Sequence, residues 1–327
     1  IDLEAYLARV GYTGSRAPDF ATLAEIHACH AGTIPFENLD ILLGRLIPTD
    51  LPSIDRKLVR DRRGGYCFEQ NALLGAALRQ LGFIVTSLIG RVRWQIPDDV
   101  PTPLVHQLLR VDTIDAGPCL ADVGFGSMSL RHPLRLVYDT PQPGCLEPRR
   151  LVRRGALVAH QARIGETWGD VYTFTLDPVP AVDLELGNWY TCAHPQSAFR
   201  HNLRASLTLE DRRHTLLNRE LTVRHADGRV ERREVTDPDE LLAALAEYFG
   251  LRFPAGTRFD NTGAQLGTVT VGGAATLSTQ IQNLGNADLN LTAITTCAGT
   301  SSEFTPSLSA PFTVTAGGSQ NLSITYT

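Results

Sequence analysis

Positive charge runs out early in this sequence. All 30 lysines and arginines lie at or before Arg258, and in residues 259–327 the only charged side chains are Asp260, Asp288 and Glu303. Long apolar runs are also missing: none approaches the roughly 20 residues that a membrane-spanning helix needs. The first residues, Ile-Asp-Leu-Glu-Ala-Tyr-Leu, are acidic and amphipathic, whereas a signal peptide is basic and then apolar. No membrane association is expected. Cysteine is scarce, with six residues at irregular positions 29, 67, 119, 145, 192 and 297. That spacing argues against a disulfide framework and for a reducing cytoplasm. A formal net charge of −5 argues against non-specific nucleic-acid binding. What is present is ordinary for a folded chain: 43% hydrophobic and 20% charged residues, and length enough for more than one domain.

The loss of charge near residue 258 marks a boundary. The tail beyond it is rich in Thr, Ser, Gly and Asn. Short alternating runs at 266–271, 276–281, 289–294, 312–315 and 322–326 are separated by turn-formers at 272–273, 283–286 and 317–318. This pattern predicts an all-β sandwich over 259–327, truncated where it stops on Ser-Ile-Thr-Tyr-Thr. Before the boundary, apolar residues recur at helical spacing over 2–10, 20–30 and 67–81, with Gly82 as the stop of the third helix. From 84 the pattern becomes strand-like, over 85–92, 104–111 and 120–123, and stays so through Thr191. A last helix is expected over 239–249, with Thr236-Asp237-Pro238 as its cap and Gly250 as its stop. The fold class is therefore α+β, in four segments: a helical bundle over 1–83, a β-structure over 84–192, a mixed α/β segment over 193–258, and the tail.

One cysteine stands out. Gly64-Gly65 permits a tight or positive-φ bend, and Cys67 follows in the first turn of the third helix. The free N–H groups and dipole of a helix start favour an anion such as a thiolate, and Arg62 and Arg63 add positive charge nearby. A buried, inert core cysteine is the competing reading. A nucleophilic thiol needs a base, and the base an orienting group. His106 lies in a strand-like run, Leu-Val-His-Gln-Leu-Leu, where a packed core histidine is the alternative. Asp122 ends an apolar stretch before a glycine-flanked turn, where a simple turn cap is the alternative. The order Cys, His, Asp describes a thiol-dependent transferase or hydrolase without choosing a substrate.

Further residues choose one. Ile34-Pro35-Phe36-Glu37-Asn38-Leu39, Arg63-Gly64-Gly65-Tyr66-Cys67-Phe68-Glu69-Gln70-Asn71, Val105-His106, Asp122-Val123-Gly124-Phe125-Gly126, and a segment from Thr191 to Phe199 resemble, in order, motifs of the arylamine N-acetyltransferase family. The resemblance covers residues 1–255. It implies a helical bundle, a β-barrel-like domain and an α/β lid around a transglutaminase- or papain-like cysteine core. It also implies ping-pong transfer of acetyl from acetyl-CoA, through an acetyl-Cys67 thioester, to an arylamine, hydrazine or arylhydroxylamine, with His106 as base and Asp122 orienting it. By the same resemblance Glu37 and Arg63 brace the site, and Phe36, Tyr66, Val92, Phe125 and Phe199 wall the acceptor pocket. Gly124, Gly126 and Ser127 would lie near the CoA phosphates, with glycine N–H groups free to cradle an anion. An amide synthase using a carrier-bound acyl donor and a transglutaminase-like thiol hydrolase are the alternatives. The tail resembles an incomplete immunoglobulin-like module of the ASPM/SPD-2/Hydin type, suited to protein contact.

Two clusters invite other readings. His27-Ala-Cys29-His30 looks metal-binding, but Cys29 leaves the face that 27 and 30 share on a helix, so helix packing and no metal are expected. Arg149-Arg150 and Arg153-Arg154 read as solvated surface, with contact to a CoA phosphate as the alternative.

Overall fold

Helix starts and stops follow local chemistry. In α1 (Leu3–Val10) the Asp2 carboxylate accepts from Ala5 N, and Gly11 ends the helix at φ 75°. After α2 (Phe20–Thr33) come a two-residue strand β1 (Phe36–Glu37), the short helices α3 (Leu39–Leu42) and α4 (Leu51–Asp55), and a π-helical turn over Arg56–Arg60. The third long helix, α5 (Cys67–Gln80), closes through Gly82 at φ 88°. This computed structural model describes residues 1–144 and 146–253, and within the tail 275–282, 289–291, 304–306, 312–315 and 319–326. The tail run at 266–271, the turn segments at 272–273, 283–286 and 317–318, and Cys145 and Cys297 lie outside the described residues.

The next strands are β2 (Ile84–Val92), β3 (Leu104–Thr113), β4 (Gly117–Ala121), β5 (Leu134–Arg135), β6 (Arg149–Arg154), β7 (Leu157–Ile164) and β8 (Thr167–Phe174). They form one antiparallel sheet in the order β5-β4-β3-β2-β8-β7-β6. Bridges from Tyr138 to Leu151 and from Gln142 to Arg149 join its two edges, so the sheet is a nearly closed barrel. Period-two alternation gives β3 two buried faces. Leu108 packs inside the barrel with Leu88, Leu120, Val158 and Val171. Leu109 and Val111 pack against Leu23, Ile26, Leu74 and Leu78 of the helices. Bundle and barrel thus share β3 as a common wall.

Helix α6 (Ala181–Ala193) departs from the expected strand pattern, which ran through Thr191. Its apolar Val182, Leu186 and Trp189 are exposed, while Gly187, Asn188, Thr191 and Cys192 face inward. A helix that turns small and polar residues to the core hides its period. A Cβ on Gly187 would stand 2.9 Å from the Phe68 ring, so glycine lets α6 lie against the nucleophile helix.

Strands β9 (Arg204–Thr208), β10 (Arg212–Leu217), β11 (Glu220–His225) and β12 (Val230–Glu234) complete a second sheet, and its edge strand is β1 from the N-terminal region. The chain segments therefore interlock. Helix α7 (Pro238–Phe249) has Asp237 as its N-cap, accepting from Glu240 N at 2.9 Å, and ends at Gly250 with φ 68°. Asp237→Ala is expected to lower stability by about 1 kcal/mol in chemical denaturation. No measurable change would mean that the cap is redundant.

The basic run on β6 is solvated only in part: Arg153 and Arg154 are exposed as expected, Arg154 pairing with Asp170, whereas Arg149 is buried against Glu147 and Arg150 stacks on Trp168 at 4.3 Å. A buried carboxylate and an aromatic face outcompete water for Arg149 and Arg150.

The chain forms two compact units, Ile1–Arg252 and Phe253–Thr327. In the second, β13 (Ala275–Gln282), β15 (Phe304–Pro306) and β17 (Ser319–Tyr326) form one antiparallel sheet, and β14 (Leu289–Leu291) pairs with β16 (Phe312–Val314). No helix among the described residues is long and apolar enough to cross a membrane.

Candidate active site

The glycines before Cys67 act through their size. Neither Gly64 nor Gly65 has positive φ; the left-handed residue here is Arg62, at φ 53°. A Cβ on Gly65 would stand 2.6 Å from Glu69 Oε2, which accepts from Tyr66 N at 3.1 Å and so caps α5. The turn also lies against β1, with Glu37 N donating to Gly65 O and Gly65 N to Pro35 O. Cys67 is thereby fixed as the first residue of α5, and its Sγ lies 3.6 Å from Val105 O.

Beneath this turn runs a chain of buried charges. Arg63 donates from Nε and Nη2 to Glu37 Oε1 at 3.0 and 2.7 Å, and its Nη2 lies 3.4 Å from Asp40. Lys57 Nζ bridges Asp40 at 2.9 Å and Glu69 at 2.8 Å. The charge of Arg63 is therefore matched by carboxylates and does not stand free beside the thiol. Burial opposes the ammonium of Lys57, but Glu69, Glu37 and Asp40 outweigh it and hold its pKa above the usual range.

His106 is buried on β3, and its Nε2 donates to Asp122 Oδ2 at 2.8 Å. Burial disfavours the imidazolium, but the carboxylate and, less strongly, the Cys67 sulfur reverse that and push its pKa up to about 10. Burial likewise disfavours the Asp122 carboxylate. The His106 charge and hydrogen bond, with donors from Asn71 Nδ2 and Gly124 N to Oδ1, hold it well below the usual carboxylate range. The rings of Tyr172 and Phe125 enclose His106, with centroids 4.8 and 5.1 Å away. A Cβ on Gly124 would meet Cys67 Cα at 2.6 Å, so glycine lets the Asp122 turn close on the helix start.

Cys67 and His106 open onto a cavity of about 760 Å³. Phe36, Val92, Phe125, Phe199, Gly124 and Ser127 also line it. Tyr66 does not: it is fully buried one layer behind, its hydroxyl bound to Asn188 and its ring 5.9 Å from that of Phe199. Nor is either glycine N–H free to cradle an anion. That of Gly124 goes to Asp122 Oδ1, and that of Gly126 to Ser129 Oγ at 2.7 Å. Tight turns spend their own donors locally.

Sequence reasoning missed the supporting roles of four residues, Asn71, His27, His30 and Gln70. Asn71 Nδ2 also donates to Gln107 O at 2.7 Å and its Oδ1 accepts from Val123 N, tying α5 to β3 and to the turn after β4. His27 Nε2 accepts from Asp122 N at 3.1 Å, which leaves Nδ1–H for Arg131 O. His30 accepts from Tyr6 O–H and donates to Gln70 Oε1, and Gln70 in turn donates to Pro35 O and Gly65 O under the nucleophile turn. Burial keeps both histidines neutral, His27 at about 3 and His30 at about 4. The His-Ala-Cys-His cluster thus serves as buttress. No group of three or more His, Cys, Asp or Glu suited to a metal ion occurs among the described residues.

The N-acetyltransferase family model matches residues 19–257. The arylamine N-acetyltransferase of Mycolicibacterium smegmatis is 43% identical over 77% of this chain and 92% of its own length. The chain belongs to the arylamine N-acetyltransferase family. A Salmonella typhimurium arylamine N-acetyltransferase / N-hydroxyarylamine O-acetyltransferase is 40% identical over 76% of this chain and 88% of its own. The structure of the Mycobacterium marinum arylamine N-acetyltransferase in complex with CoA matches with a TM-score of 0.73 and 39% identity, over 76% of this chain and 92% of that one. Like other arylamine N-acetyltransferases, the chain is an acyltransferase. The tail matches a HYDIN/CFA65/VesB-like, Ig-like domain over residues 255–327.

Proposed function

We propose that the protein transfers acetyl from acetyl-CoA to aromatic amines or hydrazines in two steps through Cys67. His106 takes the thiol proton on the ring nitrogen that Asp122 leaves open. The thiolate attacks the acetyl carbonyl, the bond to the CoA sulfur breaks, and the imidazolium returns its proton to that sulfur. CoA leaves and an amine enters the same cavity. The amine nitrogen attacks the thioester, His106 accepts its proton, and the thiolate is released. What carries this reading is the 2.8 Å bond between His106 and Asp122, buried beside a thiol that opens onto an aromatic-walled cavity. Among the described cysteines, Cys29, Cys67, Cys119 and Cys192 are all free thiols, which suits a reducing compartment.

Incubation with acetyl-CoA alone should place one acetyl group on Cys67, read by intact and peptide mass spectrometry, and an arylamine should remove it. A reduced, alkylatable Cys67 that takes no acetyl group would overturn this donor and favour a carrier-bound acyl group instead.

A further inference from the structure

One wall of the Cys67 cavity is a segment without a sheet to hold it. Residues 93–103, between β2 and β3, give Trp94, Gln95, Ile96, Thr102 and Pro103 to the cavity lining. Pro97, Pro101 and Pro103 bring no backbone donor, and residues 97–100 are exposed. Two turns shape the segment: Ile96 N donates to Arg93 O at 3.0 Å, and Val100 N to Pro97 O at 3.1 Å. The first turn holds Gln95 at φ 59°, a left-handed conformation that a side chain with a Cβ disfavours. Backbone of this kind persists only where its surroundings over-determine it.

Arg93 supplies that constraint. Its side chain is only 11% exposed, although the turn above it faces water. Nη1 donates to Val100 O at 2.7 Å and Nη2 to Pro97 O at 2.5 Å, so one guanidinium grips both ends of the second turn. The backbone N–H groups of Arg93 and Trp94 donate to Val171 O on β8 at 2.9 and 3.0 Å, which anchors the grip to the barrel. Arg91 adds a bond from Nη1 to Thr102 O. The ion pair of Arg93 with Asp98 is long, 3.6 Å, and Asp98 is fully exposed, so it contributes little. A rigid fork of donors can hold two carbonyls at a set spacing, whereas an ammonium is a single point. Trp94, next to the clamp, packs against the barrel core and lines the cavity.

We propose that Arg93 is a positioning residue: it clamps the turn at 97–100 to the barrel and so holds Trp94, Gln95 and Ile96 as a fixed wall for the aromatic acceptor. Arg93 itself lies outside the cavity lining and acts through the segment it grips. This deepens the acetyl-transfer reading above and rests on it for the acceptor.

The test uses p-nitrophenyl acetate as donor, which removes any dependence on acetyl-CoA, and 4-methoxyaniline as acceptor. Arg93→Met should raise KM for the amine about tenfold while kcat changes by less than about threefold. Arg93→Lys, with one centre for two carbonyls, should fall between. The rate at which iodoacetamide alkylates Cys67, and the pH dependence of that rate, should stay native in both variants, because the clamp does not reach the thiol, His106 or Asp122. Asp98→Asn should leave KM within about twofold of the native value. A KM for Arg93→Met within about twofold of native would overturn the proposal. So would a fall in kcat and in alkylation rate as large as the rise in KM, which would make Arg93 a general support of the fold. An effect of Asp98→Asn equal to that of Arg93→Met would overturn the carbonyl clamp. Amide hydrogen exchange needs no turnover: in the native protein Ile96 and Val100 should exchange about 100-fold more slowly than an open loop, and Arg93→Met should lose this protection. Exchange at open-loop rates in the native protein would overturn the fixed wall, whether or not the variant folds. If acetyl-CoA leaves no acetyl group on Cys67 while these results hold, the donor assignment falls and the clamp stands.

Discussion

Asp122→Asn is expected to lower kcat/KM for acetyl transfer about 10³- to 10⁴-fold at neutral pH while leaving the fold in place. The size follows from the donors around the carboxylate. Oδ1 accepts from both Asn71 Nδ2 and Gly124 N, whereas Oδ2 accepts from His106 Nε2. An amide at this position satisfies the two donors by turning its oxygen toward them, and its NH2 then faces His106. The imidazole must accept on Nε2 and carry its proton on the other nitrogen, the one that would receive the thiol proton. The base is present but in the wrong tautomer. Alkylation of Cys67 by iodoacetamide should slow with the same substitution. Activity above about a tenth of the native value would remove Asp122 from the orienting role.

The same pair gives stability a pH dependence. The pKa of His106 rises on folding to about 10. Its contribution is therefore full below the unfolded value of about 6.5 and is lost as pH rises through about 10. Asp122 is shifted down, so its contribution is present above the unfolded value of about 3.9 and is lost as pH falls through the lower folded value. These are two views of one interaction and count once. Thermal midpoints between neutral pH and pH 10 should decline for the native protein, and this part of the decline should vanish in Asp122→Asn. Parallel slopes would contradict the pairing.

How much of this was legible in the sequence depended on the range of the interactions. The last helix was readable because Asp237 and Gly250 act within one turn of its ends. Cys67 could be placed at a helix start because two glycines precede a run of apolar residues at helical spacing. Alternation alone marked β3 and hence the strand that carries His106. Contacts between distant segments left no such trace. His27 holds the backbone of Asp122 across 95 positions, and the apparent metal cluster gives no sign of it. Helix α6 reads as strand because its inward face is small and polar where a periodic apolar stripe would normally be. Tyr66 resembles a pocket wall by position in its motif, but a hydroxyl needs a partner when buried, and Asn188 supplies one away from the cavity. The glycine N–H groups near Asp122 look free in sequence because nothing there reveals that Asp122 and Ser129 use them.

Arg63→Met should destabilise the protein by about 3–5 kcal/mol, the cost of leaving one member of a buried ion pair alone. The side chain of Glu37 is shut off from solvent. Its Oε1 accepts both Arg63 donors, and its Oε2 accepts from Leu39 N at 2.7 Å. Without the guanidinium its carboxylate loses its two closest charge-assisted bonds and cannot recover water. In a chain of this size the loss corresponds to a drop of roughly 10 °C in the thermal midpoint. Adding Glu37→Gln to Arg63→Met should restore part of it, because the amide oxygen can still accept from Leu39 N and no uncompensated charge remains. The network ties β1 to the turn before Cys67, and Phe36 on β1 walls the cavity. The single variant should therefore also raise KM for the aromatic acceptor as Phe36 and Cys67 lose their fixed spacing. A loss below about 1 kcal/mol in Arg63→Met would make this pair behave as a surface one. A double variant no better than the single would show that the destabilisation comes from lost packing, with no part played by the stranded charge.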